Sequence, residues 1–111
     1  MKTEQPILIT SITAAADLSA SKNLFIAFDG TLCGNGAKAL GVLNADTDNA
    51  EKAPVMCQGI ALVKSGAAVS SGDKIQSDAN SKAITFSSGA VNGYALDAAT
   101  GADELIRVLL S

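Results

Sequence analysis

Apolar residues in this chain come in short bursts separated by turn-forming residues. The bursts are Ile7–Ile12, Leu24–Phe28, Leu40–Leu43, Val55–Val63, Lys74–Gln76, Ala83–Phe86, Gly93–Leu96 and Leu105–Leu110. Between them lie Asp29-Gly30, Gly34-Asn35-Gly36, Asp46 to Asn49, Ser65-Gly66, Ser71-Gly72-Asp73, Ser88-Gly89 and Thr100-Gly101. Short runs at roughly ten-residue intervals, punctuated by Gly, Asn and Asp, predict a sandwich or barrel of antiparallel strands. Period-two alternation supports strands directly: Leu40 and Val42 share one face, and Ile84 and Phe86 share another. Leu24–Phe28 is apolar throughout and predicts a central strand. Leu105–Leu110 is apolar on both faces apart from Arg107, so most of it is expected to be buried on both sides. Helix is nearly absent from the pattern. Thr13 to Ser21 is Ala-rich enough for a turn or two, but its apolar positions form no sustained stripe.

The first 20 residues differ from the rest. They contain no Gly, include Pro6, and carry Ile7-Leu8-Ile9-Thr10-Ser11-Ile12, a stretch of high β-propensity. Two readings stand side by side. One is an ordinary first strand with a loose terminus; the other is an arm that adds a strand to a partner's sheet edge. On either reading the length suits a single domain.

Composition narrows the chemistry. Of the 111 residues 48% are hydrophobic, yet the only aromatics are Phe25, Phe28, Phe86 and Tyr94. The core must therefore be built from small aliphatic side chains at close quarters. Eight basic and eleven acidic residues give a net charge of −3. The lysines are scattered from Lys2 to Lys82, so the clustered phosphate neutralisation that nucleic acid requires is missing. Leu24–Phe28, the longest apolar run, is far short of the ~20 residues that span a bilayer, and no cleavable leader is evident at the N-terminus. Synthesis in the cytoplasm is expected. With only Cys33 and Cys57, both thiols are expected reduced, Cys57 buried in its strand and Cys33 near a turn.

Catalytic motifs fail on inspection. Ala27-Phe28-Asp29-Gly30-Thr31 imitates the Asp-x-Asp-Gly-Thr motif of haloacid-dehalogenase-type phosphatases, but the nucleophilic carboxylate is replaced by Ala27. A tight turn at Asp29-Gly30 accounts for the same letters. There is no His for an acid–base triad. Asp46, Asp48 and Glu51 lack the regular alternation and Gly of a calcium loop. Gly34-Asn35-Gly36 is followed by no Lys-Ser/Thr pair, so it cannot cradle phosphate. The Gly59–Ile75 stretch has turns like those of biotinyl and lipoyl carrier domains without their Lys-bearing tip. No catalytic residue, metal or cofactor is expected.

Order and spacing then point to a family. Leu40-Gly41-Val42-Leu43, Gly59–Val63, Gly66-Ala67-Ala68-Val69, Gly72-Asp73-Lys74-Ile75, Asn92-Gly93-Tyr94-Ala95-Leu96-Asp97 and Leu105–Leu110 together resemble the phage capsid cement proteins. A looser similarity to lambda-type head decoration proteins lies in Phe25–Thr31, Ala39–Leu43 and Val63–Gly66. The resemblance implies a small, mainly β, barrel-like (β-tulip-like) fold with at most one short helix, organised as a flexible N-terminal arm over 1–20 and a β-barrel-like domain over 21–111. It implies a structural virion protein that binds the major capsid protein of a tailed phage on the outer capsid surface, self-associates as a trimer, and needs neither nucleic acid nor membrane. Ile7, Leu8, Ile9 and Ile12 are the expected apolar anchors of the arm. Other expectations compatible with the pattern are a tail-tube or head-fibre subunit, or a small β-barrel binding or carrier domain of a host complex.

Overall fold

A computed structural model describes residues 2–110. Among them there is no helix, and the strands number eight. They are β1 (Gln5–Thr13), β2 (Phe25–Ile26), β3 (Gly41–Leu43), β4 (Lys52–Lys64), β5 (Lys74–Ser77), β6 (Ala83–Thr85), β7 (Gly93–Ala95) and β8 (Leu105–Leu110). All belong to one antiparallel sheet in the order β2-β3-β4-β8-β7-β5-β6, with β1 added to β4. The sheet curls until its ends meet. A parallel bridge joins Ser65, just past β4, to Ala83 of β6, and the Phe25 amide donates to the Ser81 carbonyl at 2.9 Å.

Strand β4 organises the fold. Along one edge it pairs first with β3, through Val42↔Met56 and Leu43↔Val55, then with β8 from Gly59↔Leu110 to Lys64↔Leu105. Its other edge carries β1, from Gln5↔Ile60 to Thr13↔Lys52. The larger of two core clusters fills the barrel with Phe25, Met56, Val63, Ile75, Ile106 and Val108 among others. A second, smaller cluster gathers Ala14, Leu18, Ile26, Leu43, Ala53 and Val55, with Ile12, Leu40 and Cys57 packed against it. Phe25 is the only fully buried aromatic, so dense packing of aliphatic groups supplies the burial term.

The loops are pinned by side chains in place of helices. Gln76 Oε1 accepts from the amides of Ser87 (2.7 Å) and Ser88 (3.1 Å). Asn92 accepts from the Ala39 amide at 2.9 Å and donates to the Ala37 carbonyl at 3.1 Å. Ser81 and Ser65 hydroxyls each donate to a loop carbonyl at 2.6 Å, those of Cys33 and Gly101. Among the described residues no buried side-chain polar atom lacks a partner, as a closely packed core requires.

Every apolar burst predicted from the sequence contains a strand, and four details differ. Thr13 to Ser21 makes no helical turn; it crosses the second cluster as irregular chain, with the Leu18 amide donating to the Thr47 carbonyl. The run Leu24–Phe28 contributes only Phe25–Ile26, at one end of the sheet order rather than its centre. The turn at Asp29-Gly30 lifts Phe28 out of the ladder, where it is exposed. Strand β8 is buried on one face only: Ile106, Val108 and Leu110 point into the core, while Leu105 and Leu109 face outward. Of the cysteines, Cys33 lies beside a turn as expected, whereas Cys57 is not fully buried. Both are free; Cys33 is fully buried beside its turn, where burial pushes the thiol pKa up, and Cys57 is half-buried.

Candidate functional site

The segment expected as an arm is strand β1 here, laid along β4 with its outer edge unpaired by any other strand among the described residues. Its two halves sit differently. From Thr10 to Thr13 the register with β4 is regular, running Thr10↔Val55 to Thr13↔Lys52. Ile12, expected as a fourth external anchor, is instead half-buried against the second cluster. The N-terminal half is irregular. The register jumps from Pro6↔Gly59 to Leu8↔Gln58, leaving Ile7 without a partner, and again to Ile9↔Met56, leaving Cys57 as the extra residue on β4. Bulges of this kind bend a strand and re-aim its side chains. Ile7 is consequently 79% exposed, Leu8 49% and Ile9 42%.

Gly59 permits that geometry. Its φ is +113°, and a Cβ there would run into the Gln5 carbonyl, the Ile7 amide and the Pro6 Cα. Only glycine allows both the backbone angle and the close approach of β1. Three adjacent aliphatic side chains on a free, bulged strand edge thus form, among the described residues, the most exposed apolar feature. An unpaired strand edge offers a row of backbone donors and acceptors that another extended segment can complete.

The sequence motifs set aside above fall in a local turn and on the rim of an open depression. Asp29 closes a local turn: its carboxylate accepts from the Thr31 hydroxyl at 2.6 Å and the Thr31 amide at 3.1 Å, and these bonds hold its pKa below the ordinary carboxylate value. Gly30 completes the turn at φ +89°, and Ala27 donates to Thr31 across it. Asp46, Asp48 and Glu51 rim an open depression of about 400 Å³ with Ser19, Thr47 and Lys52. Asp46 spends one oxygen on the Lys22 amide. Among the described residues no group of three or more metal-ligating side chains comes together, and no helix is long and apolar enough to cross a membrane.

A second exposed surface was not anticipated. Register places Lys74, Tyr94, Leu109, Ile60 and Gln5 in one row across β5, β7, β8, β4 and β1. The next row has Leu96, Arg107 and Leu62, and the last has Leu105 and Lys64. Tyr94, Leu96, Leu105 and Leu109 are 36–44% exposed. In their midst Arg107 and Asp97 form a bidentate ion pair, Nε to Oδ2 at 3.0 Å and Nη2 to Oδ1 at 2.9 Å, with the Arg107 amide also donating to Oδ2 at 3.0 Å. The Arg107 hydrogen bonds draw the Asp97 pKa down to about 2. The signal was present in the sequence as leucines on the outward parity of β8. Taking β8 as buried on both faces hid it.

Among solved structures, the chain is similar to the head fiber gp8.5 N base of bacteriophage phi29, at a TM-score of 0.74 and 18% identity, covering 94% of this chain and 95% of that one. At this identity the likeness is one of fold. No curated protein is similar in sequence at a significant level. Residues 2–110 match the phage cement protein family. With nearly the whole length accounted for, the chain belongs to the phage cement proteins, structural components of the virion.

Proposed function

We propose that this protein decorates the outer surface of a tailed-phage capsid and stabilises the shell, docking through the free edge of β1 onto the major capsid protein. The observation that carries the reading is the family match over residues 2–110. The exposed Ile7-Leu8-Ile9 edge supplies the contact. A shell segment pairing with β1 gains backbone hydrogen bonds worth about 0.5–1.5 kcal/mol each and covers three aliphatic side chains. Ile12, rooted in the second cluster, holds the C-terminal half of the strand in place while the bulged half adapts. That half has the fewest packing partners in β1 and would open locally at low cost in free protein.

The role is structural, without catalysis, metal or cofactor. The protein is made in the host cytoplasm and acts on the virion. Several copies acting together, as in a trimeric knob, convert a modest contact per strand into firm attachment through effective concentration, and binding to the assembled lattice stabilises it by mass action.

Co-sedimentation with undecorated capsids tests the reading. Ile7→Asp should reduce the bound fraction at least tenfold while the variant melts like the parent. Unchanged binding would move the contact away from β1. Deleting residues 2–13 is a blunter test, since it also strips the ladder from β4.

A second reading draws on the fold likeness to a head fiber base: the domain would seat a projecting fibre. Micrographs of particles separate the two. A decoration built from this domain alone projects no further than its longest dimension, 36 Å.

A further inference from the structure

We infer that Phe28 is the aromatic anchor at the end of the β1 contact, covered by an apolar residue of the extended capsid-protein segment that lies along the free edge of β1. The inference rests on the docking of β1 proposed above.

Backbone alternation places the Asp29-Gly30 turn on that free edge. Ala14 faces the β4 side: its amide donates to the Glu51 carbonyl at 2.8 Å, and its carbonyl accepts from the Ala50 amide at 2.9 Å. Successive residues of an extended chain direct their backbone groups to opposite sides. Ile9, Ser11, Thr13 and Ala15 therefore face outward, away from β4. The Ala15 amide donates to the Gly30 carbonyl at 3.1 Å, and a Cβ on Gly30 would collide with the Thr13 carbonyl. The turn thus closes the outer edge at Thr13–Ala15 and leaves it open at Ile9 and Ser11. A segment paired with Ile9 and Ser11 runs straight up to the turn that carries Phe28.

The turn presents Phe28 on a bonded frame. The Ala27 amide donates to the Thr31 carbonyl at 2.8 Å, the Gly30 amide donates to the Ala27 carbonyl at 3.2 Å, and the Asp29 carboxylate takes both the amide and the hydroxyl of Thr31. On this frame Phe28 is 65% exposed, whereas Phe25, three residues earlier, is fully buried. An aromatic held out by a bonded turn has little freedom left to lose when a partner covers it. Covered aromatics carry a large share of the binding energy at interfaces. Phe28 also supplies selectivity. Backbone pairing along β1 is open to nearly any extended sequence, and side-chain contacts beside the edge decide which one binds. A charged residue at the end of the segment would be desolvated against the ring without a partner, whereas an apolar one gains.

The test joins a binding isotherm to a photocrosslink, both with the full chain on undecorated capsids. Phe28→Ala should reach half-saturation at about tenfold higher concentration, the loss expected on truncating an interface aromatic. It should melt like the parent, because the ring lies outside the core. Phe28→p-benzoylphenylalanine, irradiated on the particle, should crosslink to the major capsid protein. Should Phe28→Ala melt early, the crosslink decides alone. Parent-like binding by a folded Phe28→Ala, beside weak binding by Ile7→Asp, would overturn the anchor and leave the β1 reading standing. Crosslinks that reach only a second copy of this chain, or nothing, would overturn it in the same way. Parent-like binding by Ile7→Asp, or failure of the wild-type chain to bind any capsid, removes the β1 reading and the inference with it.

Discussion

Strands β1 and β8 lie on opposite edges of the same strand, and even share partners: Gly59 faces Pro6 on one side and Leu110 on the other, and Ile60 faces Gln5 and Leu109. Both strands are rich in leucine and isoleucine, yet their fates diverge. Strand β8 keeps an unbroken register over its six residues and sends Ile106, Val108 and Leu110 into the barrel. Strand β1 is longer, nine residues, but its N-terminal half bulges at Ile7 and buries no side chain there. The difference lies in what comes next. Beyond β8 the sheet continues to β7 and β5 and closes on itself, so one face is enclosed. Beyond β1 no further strand pairs among the described residues. Hydrophobic side chains are buried where topology encloses them, and the same side chains at the end of a ladder remain available to a partner.

The contrast can be broken most forcefully in the core. Ile106→Ala should cost about 2–5 kcal/mol by leaving a cavity in an enclosed site, lowering the melting temperature by at least about 10 °C. A melt unchanged within a few degrees would mean that β8 is no more essential than β1.

Gly59→Ala should act on β1 selectively. The left-handed φ and the collision with the Gln5 carbonyl make strain of about 1–3 kcal/mol, relieved by releasing the N-terminal half of β1. Hydrogen exchange should show lost protection at residues 5–9 and retained protection at residues 105–110. Equal loss in both would show that the two edges of β4 are coupled.

Acid offers a gentler probe of the β8 side. Asp97 has a folded-state pKa of about 2, below the ordinary value of 3.8. Its contribution to stability is therefore complete above the unfolded-state pKa and lost as pH falls from about 4 through 2. Screening at this partly exposed pair keeps the loss below about 1 kcal/mol. Denaturation curves at pH 6 and pH 2.5 should differ less in Asp97→Asn than in the parent by that amount; an equal difference would assign the acid sensitivity elsewhere.

The smallest effect belongs to Ile7→Asp, which should change folding stability by no more than about 0.5 kcal/mol, as for other exposed positions. A loss comparable to that of Ile106→Ala would show that β1 is core, and that its exposed edge is incidental.

Much of this architecture was legible from turn chemistry and spacing. The Gly-punctuated bursts placed a strand in each segment, and Asp29-Gly30 was readable as a turn because the local bonds of Asp29 to Thr31 need no distant partner. Long-range relations were harder. A run such as Leu24–Phe28 does not disclose that the following turn will raise Phe28 out of the ladder. In β8, Leu105 and Leu109 look as core-like as Ile106, because hydropathy records a tendency to leave water and not which face of the sheet is covered. The exposed triplet Ile7-Leu8-Ile9 was visible as a candidate contact. Its bulge was not, since it depends on Gly59, some fifty residues away in sequence, and the inward seat of Ile12 depends on Ala53 and Val55 on β4.

The irregular end of β1 also bears on solubility at the concentrations a virion component reaches before assembly. Among the described residues the outer edge of β1 pairs with no strand, so copies could stack there edge to edge into a growing fibre, and a flat isoleucine-rich strand would invite it. Pro6 removes a backbone donor from that strand, and the protruding Ile7 spoils the straight register that identical strands need for repeated addition. In the proposed docking a shell segment of different sequence would follow the kink, whereas successive copies of β1 cannot propagate it. One bulge in the strand thereby works against open-ended polymerisation through this edge.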